Sequence, residues 1–270
     1  VWPSKTSRLP DDPSSGDSSE ERDSSIVESE GPIAIDLLPR DGEVIRGVES
    51  TVYLRTYERK SGEPVSVEVE IGEVDGLNET ELPRDIETDA LGLAPIRWTP
   101  ATDQNWRLQI GSPDDAADPD PSHAELHVTT APAQFSLRMK EPIAVLGEPN
   151  EGVVYSLNTS GGLLVDLYDG NAWTAAAAYG LSEGHSGVSV ETPRYDTASA
   201  LQRVQVHQSI FSPGNAWDVE YMWLAEGRDE SDYRTAVRDV VAYQAKHADD
   251  PYFHYLAEHE MDALDLAGKS

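Results

Sequence analysis

The chain has 270 residues, 38% of them hydrophobic, with 20 Gly and 18 Pro; this suits two modest cores made of short elements and argues against one large enzyme core. Fifty Asp and Glu stand against 20 Lys and Arg, a formal charge of −30, which excludes nucleic acid and anionic lipid surfaces as partners. Cysteine is absent, so disulfides, zinc–thiolate sites, thiol nucleophiles and thioesters are excluded together.

Residues 1–31 are acidic and rich in serine, with Ile26 and Val27 as apolar exceptions. Such a segment buries too little surface to offset its ordering entropy, and it is expected to be a disordered linker. Its opening, Val1-Trp2-Pro3-Ser4-Lys5, has the aromatic and basic character found beside a membrane interface. An anchor before residue 1 and an extracytoplasmic location, periplasm or cell surface, are therefore expected. Five of the basic residues are lysines (Lys5, Lys60, Lys140, Lys246 and Lys269) and the acids run along the whole chain. Together these read as a solvated surface adapted to a salty medium rather than as a cation-binding face.

From Ile33 the pattern takes a period of two: Ile33, Ile35 and Leu37, then Val44 and Val48, then Val52, Leu54 and Thr56, then Val65, Val67, Val69 and Ile71. Alternation of this kind puts one face on a core and the other in water. Turns are read at Pro39-Arg40-Asp41-Gly42, Ser61-Gly62-Glu63-Pro64 and Asp75-Gly76, and further strands at Leu91–Trp98, Asn105–Ile110 and His123–Thr129. About seven strands in about 100 residues is the spacing of an immunoglobulin-like sandwich, here over residues 32–130.

After Ala131-Pro132 a second series over residues 133–227 begins at Phe135 and Leu137. It continues through Val153–Leu157, Leu163–Tyr168, Ala172–Tyr179, Val188–Val190, Leu201–His207 and Trp217–Leu224. The alanine run Ala175–Ala178 favours a helix by propensity, but Trp173, Thr174 and Tyr179 around it and the Asp169-Gly170 turn before it favour a strand. Over residues 228–270 the spacing becomes helical. Tyr233, Val237, Val240, Val241 and Gln244 follow a Ser231 cap, and a second helix starts at Asp249 or Asp250 with Pro251 in its first turn. That helix is expected to stop at Gly268 and to bury Phe253, Leu256, Ala257 and Leu264 as half of a helical hairpin.

The run from Leu38 through Gly47, with its Pro39-Arg40-Asp41-Gly42 turn, followed by Val52-Tyr53-Leu54-Arg55, resembles the opening strands of bacterial macroglobulin-type and related immunoglobulin-like domains. So does the later series Gly62-Glu63-Pro64-Val65, Thr88-Asp89-Ala90-Leu91-Gly92-Leu93-Ala94, Trp98-Thr99-Pro100 and Trp106-Arg107-Leu108. Ile143 through Pro149 and Leu164 through Gly170 look like a second domain of that kind. The resemblance implies an envelope or surface protein whose modules act as spacers or protein-binding surfaces. Without a Cys, the thioester chemistry of full macroglobulins does not carry over.

Chemistry-bearing motifs are sparse. Asp114, Asp115, Asp118 and Asp120 cluster before the last strand of the first module and offer oxygen ligands of the type Ca²⁺ takes, but without EF-hand spacing a solvated acidic loop is the favoured account. His123 and His127 are four apart in a strand, about 13 Å, too far to share an ion. His254 and Glu258 read as a polar helix face, and His259-Glu260-Met261-Asp262-Ala263 has Ala263 where a zinc-protease motif needs a second His. Gly184-His185-Ser186-Gly187 reads as a hairpin turn rather than a nucleophile elbow. Asn78-Glu79-Thr80 and Asn158-Thr159-Ser160 fit the glycosylation acceptor pattern but read as turns. Trp217, Tyr221 and Trp223 share one face at period two, either as core or as an exposed aromatic strip for carbohydrate or peptide.

The expectation is thus a mostly β chain with two tandem immunoglobulin-like antiparallel sandwiches and a C-terminal helical hairpin. It is expected to be non-catalytic and to hold no cofactor, with a protein partner in the envelope or a larger assembly. A carbohydrate-binding accessory module using Trp217, Tyr221 and Trp223 is the alternative.

Overall fold

The computed structural model describes residues 26–40, 44–47, 49–74, 82–110, 122–128, 130–131, 135–156, 160–170, 172–194, 200–207 and 218–259. It is mostly β, with two helices near the C-terminus. The chain divides into two units, Val1–Ala131 with Val241–Met261, and Pro132–Val240 with Asp262–Ser270.

The first unit contains β1 (Ile26–Glu30), β2 (Ile33–Pro39), β3 (Val44–Ile45), β4 (Ser50–Glu58), β5 (Glu68–Val74), β6 (Asp85–Glu87), β7 (Leu93–Trp98), β8 (Gln104–Ile110), β9 (His123–Val128) and β10 (Thr130–Ala131). They form a five-stranded sheet β1-β9-β8-β5-β6, a three-stranded sheet β2-β4-β7 and a parallel pair β10-β3. Ile35, Leu54 and Ile96 from the three-stranded sheet and Val69, Trp106, Leu108 and Leu126 from the five-stranded sheet belong to one buried cluster. The alternation in β8, where Gln104, Trp106 and Leu108 are buried and Asn105 and Arg107 exposed, is the period-two pattern at work. Each large apolar side chain buried in this way contributes roughly 1.5–3 kcal/mol.

Two expectations for this unit are corrected. Ile26–Glu30 lies in the segment assigned to a disordered linker, yet it is a strand paired antiparallel with β9, Glu30 opposite His123. Val65 and Val67 precede β5 rather than belonging to it; Pro64 forms an isolated bridge with Tyr57 instead. The rest of the expected linker, residues 1–25, and the Asp75-Gly76 turn lie outside the described residues.

The second unit contains β11 (Phe135–Met139), β12 (Ile143–Val145), β13 (Pro149–Ser156), β14 (Ser160–Asp169), β15 (Ala172–Ser182), β16 (His185–Glu191), β17 (Leu201–His207) and β18 (Asp218–Ala225). The expected pair of sheets is one continuous eight-stranded sheet, β11-β13-β16-β15-β14-β17-β18-β12. It curls, because Phe135 and Leu137 near one end and Met222 and Leu224 near the other share one buried cluster. The change of direction falls at the β15–β16 hairpin. Glu183 (φ 54°) and Gly184 (φ 81°) make a two-residue turn with both central residues left-handed, the type I′ signature. Beyond it the strands pair only at Ser182 and His185 and then part. The Tyr179 hydroxyl bridges the gap, donating to the Ser189 carbonyl (2.5 Å) and accepting from its N–H (3.0 Å).

Helix α1 (Glu230–His247) carries Glu230 and Asp232 in its first turn and Lys246 and His247 in its last, the order the helix dipole favours. Val237, Val240, Val241 and Gln244 are buried as their spacing requires. Helix α2 (Pro251–Glu258) starts where the sequence indicates, with the Asp250 carboxylate accepting from the Tyr252 N–H. It stops at a His259 cap, earlier than expected; Phe253 and Leu256 are buried but Ala257 is exposed, and Leu264 lies outside the described residues. The boundary between the two units falls within α1, at Val240 and Val241.

Candidate functional site

A sheet edge is a row of unpaired backbone donors and acceptors, and proteins blunt such edges with charge, proline or shortness. Most edges here follow that rule. Strand β1 carries Glu28 and Glu30, β6 is the acidic triplet Asp85-Ile86-Glu87, β2 ends at Pro39, β7 contains Pro95 and Arg97, β11 contains Arg138 and β12 is three residues long.

Strand β15 departs from it. It pairs with β14 along its length, but on its other side, among the described residues, only Ser182 is paired. The sequence of this 11-residue strand, Ala-Trp-Thr-Ala-Ala-Ala-Ala-Tyr-Gly-Leu-Ser, holds no charge and no proline, in a chain where 26% of residues are charged. Its sequence explains its form. Ala175, Ala177, Tyr179 and Leu181 lie opposite Leu167, Val165, Leu163 and Gly161 of β14, so the bulk comes from β14 at the first two pairs and from β15 at Leu181–Gly161. Ala176, Ala178 and Gly180 point the other way and are exposed.

A bulge at Thr174 alters this alternation. Leu167 is opposite Ala175 while its neighbour Tyr168 is opposite Trp173, and the Thr174 hydroxyl donates to the Leu167 carbonyl at 3.0 Å. The extra residue moves Trp173 to the outer face, where it is 63% exposed, the one exposed large apolar side chain among the described residues. Register then aligns Trp173, Tyr168, Arg203 and Tyr221 in one row across four strands. The Arg203 guanidinium lies 4.4 Å from the Tyr168 ring centroid, within cation–π range. Burial pushes the Tyr221 hydroxyl pKa above its ordinary value, with Arg203 opposing.

The sequence-expected strip is rearranged accordingly. Trp223 is 5% exposed, so its ring is not offered to a ligand; Tyr221 is half-buried and belongs to the row just described; Trp217 lies outside the described residues. Asp114, Asp115, Asp118 and Asp120 also lie outside them, as do Asn78 and Asn158. His123 and His127 sit in β9, His254 and Glu258 are exposed on α2, and Gly184 opens the turn into β16. Among the described residues no group of His, Asp and Glu has the arrangement of a metal site.

Two buried polar clusters carry no sequence signature. In the first unit, Arg55 of β4 points to the face of β2-β4-β7 opposite the shared core. Its Nη2 and Nε donate to Asp36 Oδ2 (2.5 and 3.2 Å) and its Nη1 to Asp250 Oδ2 (2.7 Å). The guanidinium lies 5.0, 4.9 and 5.7 Å from the rings of Tyr57, Tyr252 and Phe253. Burial alone pulls its pKa down, but Asp36 and Asp250 outweigh that, and the pKa lies above its ordinary value. The Tyr252 hydroxyl donates to the Leu91 carbonyl at 2.9 Å, and Gly62 (φ 77°) leaves room for the Pro251 carbonyl, which a side chain would strike. This cluster fixes α2 on the sheet, which is a structural task. In the second unit, His207 Nε2 and Asp166 Oδ2 are 2.7 Å apart and buried, on adjacent strands β17 and β14, each satisfying a polar group the other would otherwise strand. A cleft of about 380 Å³ in the same unit is lined by Leu146, Leu224, Glu226, Asp232 and Asp239 among others, with no basic side chain.

Among the described residues no helix is long and apolar enough to cross a membrane, which does not bear on β-barrels. No family model matches the chain, and no curated protein matches it. Three solved structures show local likeness. An Escherichia coli α2-macroglobulin activated by porcine elastase is 9% identical over 73% of this chain and 24% of its own, at a TM-score of 0.23. The Yersinia pseudotuberculosis adhesin InvE is 14% identical over 71% and 58%, at 0.25. Invasin, a bacterial integrin-binding protein, is 16% identical over 72% and 39%, at 0.24. The chain thus spans less than two thirds of each of them, and likeness at these scores carries no argument about fold or function.

Proposed function

We propose that the chain is a non-catalytic, extracytoplasmic structural and protein-binding module of an envelope-associated assembly, with two immunoglobulin-like units in tandem, and that it binds protein by strand addition along β15. The observation that carries this reading is the contrast between β15 and the other edges: paired on one side only at Ser182 among the described residues, uncharged and free of proline, with an exposed Trp173 beside it. An added strand completes the backbone hydrogen bonding, and its alternate side chains supply specificity. The test is a display selection of extended peptides on the whole chain, followed by hydrogen exchange with and without the selected peptide. Protection of amides within Ala175–Leu181 supports the reading; no enrichment, or protection confined to other strands, refutes it. Proteolysis of intact source cells and of cells stripped of their outer envelope tests the location, since a chain cut only after the cytoplasmic membrane is broken is not extracytoplasmic.

The row Trp173, Tyr168, Arg203 and Tyr221 favours a second reading, a carbohydrate-binding accessory module, because an exposed indole beside half-buried tyrosines offers faces on which sugar rings stack. Glycan-array binding abolished by Trp173→Ala supports it, and an array without hits removes it.

A further inference from the structure

We infer that the strand added to β15 is β15 of a second copy, paired antiparallel about a two-fold axis through Ala178. The inference rests on the strand-addition reading and names its partner.

The regular part of the strand lies between the Thr174 bulge and Ser182, which is already paired to His185. That leaves Ala175–Leu181, with Ala178 at its centre. In an antiparallel pair, directly opposed residues share a face, so a two-fold axis perpendicular to the sheet must pass through a residue rather than between two. Centring on Ala178 uses the whole regular segment and opposes Ala177 to Tyr179, Ala175 to Leu181, Ala176 to Gly180, and Ala178 to itself. The two large side chains of the inner face thus meet the two small ones, in both directions at once, and the exposed outer face presents only Ala and Gly. A strand complementary to itself in size and carrying no charge is its own best-fitting partner. A cationic partner would call for acids along the strand, and it has none.

The remainder of the molecule sets the salt dependence. Each copy carries a formal charge of −30, so approach is opposed at low ionic strength. The screening length shrinks from about 10 Å at 0.1 M salt to about 3 Å at 1 M, so added salt promotes the pairing. Binding of a basic partner weakens with salt instead.

The chain lacks cysteine, which makes a single engineered thiol a direct gauge of register. Opposed residues of an antiparallel pair have Cα atoms about 4.5–5.5 Å apart, within disulfide range. The experiment is sedimentation equilibrium of the whole chain in about 0.1 M and about 1 M NaCl, for the natural sequence and for Ala178→Lys, with oxidative crosslinking of Ala178→Cys and Ala176→Cys. Ala178 is exposed, so both its variants keep the fold, which a urea melt checks.

The expected result is a dimer favoured by salt, with Ala178→Lys raising its dissociation constant about tenfold because like charges then face each other at the axis. Crosslinking is expected at position 178 and not at 176. A monomer at both salts overturns the inference; if a selected peptide still protects β15 amides, strand addition survives with a different partner, and if none does, both fall. A dimer indifferent to Ala178→Lys, or one crosslinked through Ala176→Cys in preference, overturns this pairing.

Discussion

The outer face of β2-β4-β7 and the open side of β15 are both sheet surfaces beyond the shared cores, and the protein treats them differently. The first is polar at its centre and covered: Arg55 lies between Asp36 and Asp250, and α2 lays Tyr252 and Phe253 against it. The second is apolar, small and uncovered among the described residues. The difference teaches that a buried charge commits a surface to one particular cover, because only a partner with matching groups repays its desolvation. A neutral alanine edge makes no such electrostatic commitment, since backbone hydrogen bonds and side-chain size, not charge, decide what it accepts.

The largest test of that contrast is Arg55→Met, which leaves the buried Asp36 and the half-buried Asp250 of the α2 cap without their cation and is expected to cost about 3–5 kcal/mol in urea unfolding. A loss below about 1 kcal/mol would make the covered face no more committed than the open edge. Next comes Asp250→Ala, which removes both the α2 cap and one arm of the Arg55 clamp. It is expected to cost about 2 kcal/mol and to speed hydrogen exchange along the helix, Tyr252 through Glu258, more than in β8. Equal acceleration everywhere would show that the clamp serves the whole unit.

A smaller effect is expected from alkali. Burial, with Asp36 adding to it, pushes the Tyr57 hydroxyl up to about 12, from about 10 in the unfolded chain. The raised value makes its contribution complete below about pH 10, and this is lost as pH rises through about 12, with a slope of at most about 1.4 kcal/mol per pH unit. Urea midpoints at several alkaline pH values should therefore fall less steeply in Tyr57→Phe than in the natural chain, and parallel curves would count against a buried phenol. The smallest effect is expected at the open edge. Trp173→Ala should change stability by no more than about 0.5 kcal/mol, and a larger loss in the same urea melt would mean that the indole belongs to the fold rather than to its surface.

What the sequence made legible was the local grammar. The alternation of β4 and β8, the Asp250-Pro251 start of α2 and the strand read over Ala172–Tyr179, three residues short of its end at Ser182, all follow from neighbours a few residues away. For β15 the flanking Trp173, Thr174 and Tyr179 outweighed the helical preference of four alanines. The clamp was not legible, because Asp36 and Asp250 reach Arg55 from 19 and 195 residues away; Asp36 does not stand out among 50 acids, and Asp250 stood out only as a helix cap. Strand β1 was missed for a related reason: Ile26-Val27-Glu28-Ser29-Glu30 looks too polar to order itself, and its order comes from β9, with Ser29 opposite Ala124. The open edge had a signal that composition alone hides, an uncharged stretch inside a strongly acidic chain, but whether such a stretch is central or peripheral depends on how the sheet curls.

The Thr174 bulge works as a frame shift written in backbone. Trp173 and Ala175 are two apart and would face the same way in an unbroken strand, yet one extra residue between the registers of Tyr168 and Leu167 turns the indole outward. Excising Thr174 would remove the bulge and make Trp173 and Ala175 neighbours that alternate, so Trp173 would stay opposite Tyr168 on the outer face while Ala175 stays opposite Leu167. A single codon deletion would thereby straighten the strand at the cost of the Thr174 bond to Leu167, while the display of the indole and the register of the core both survive it.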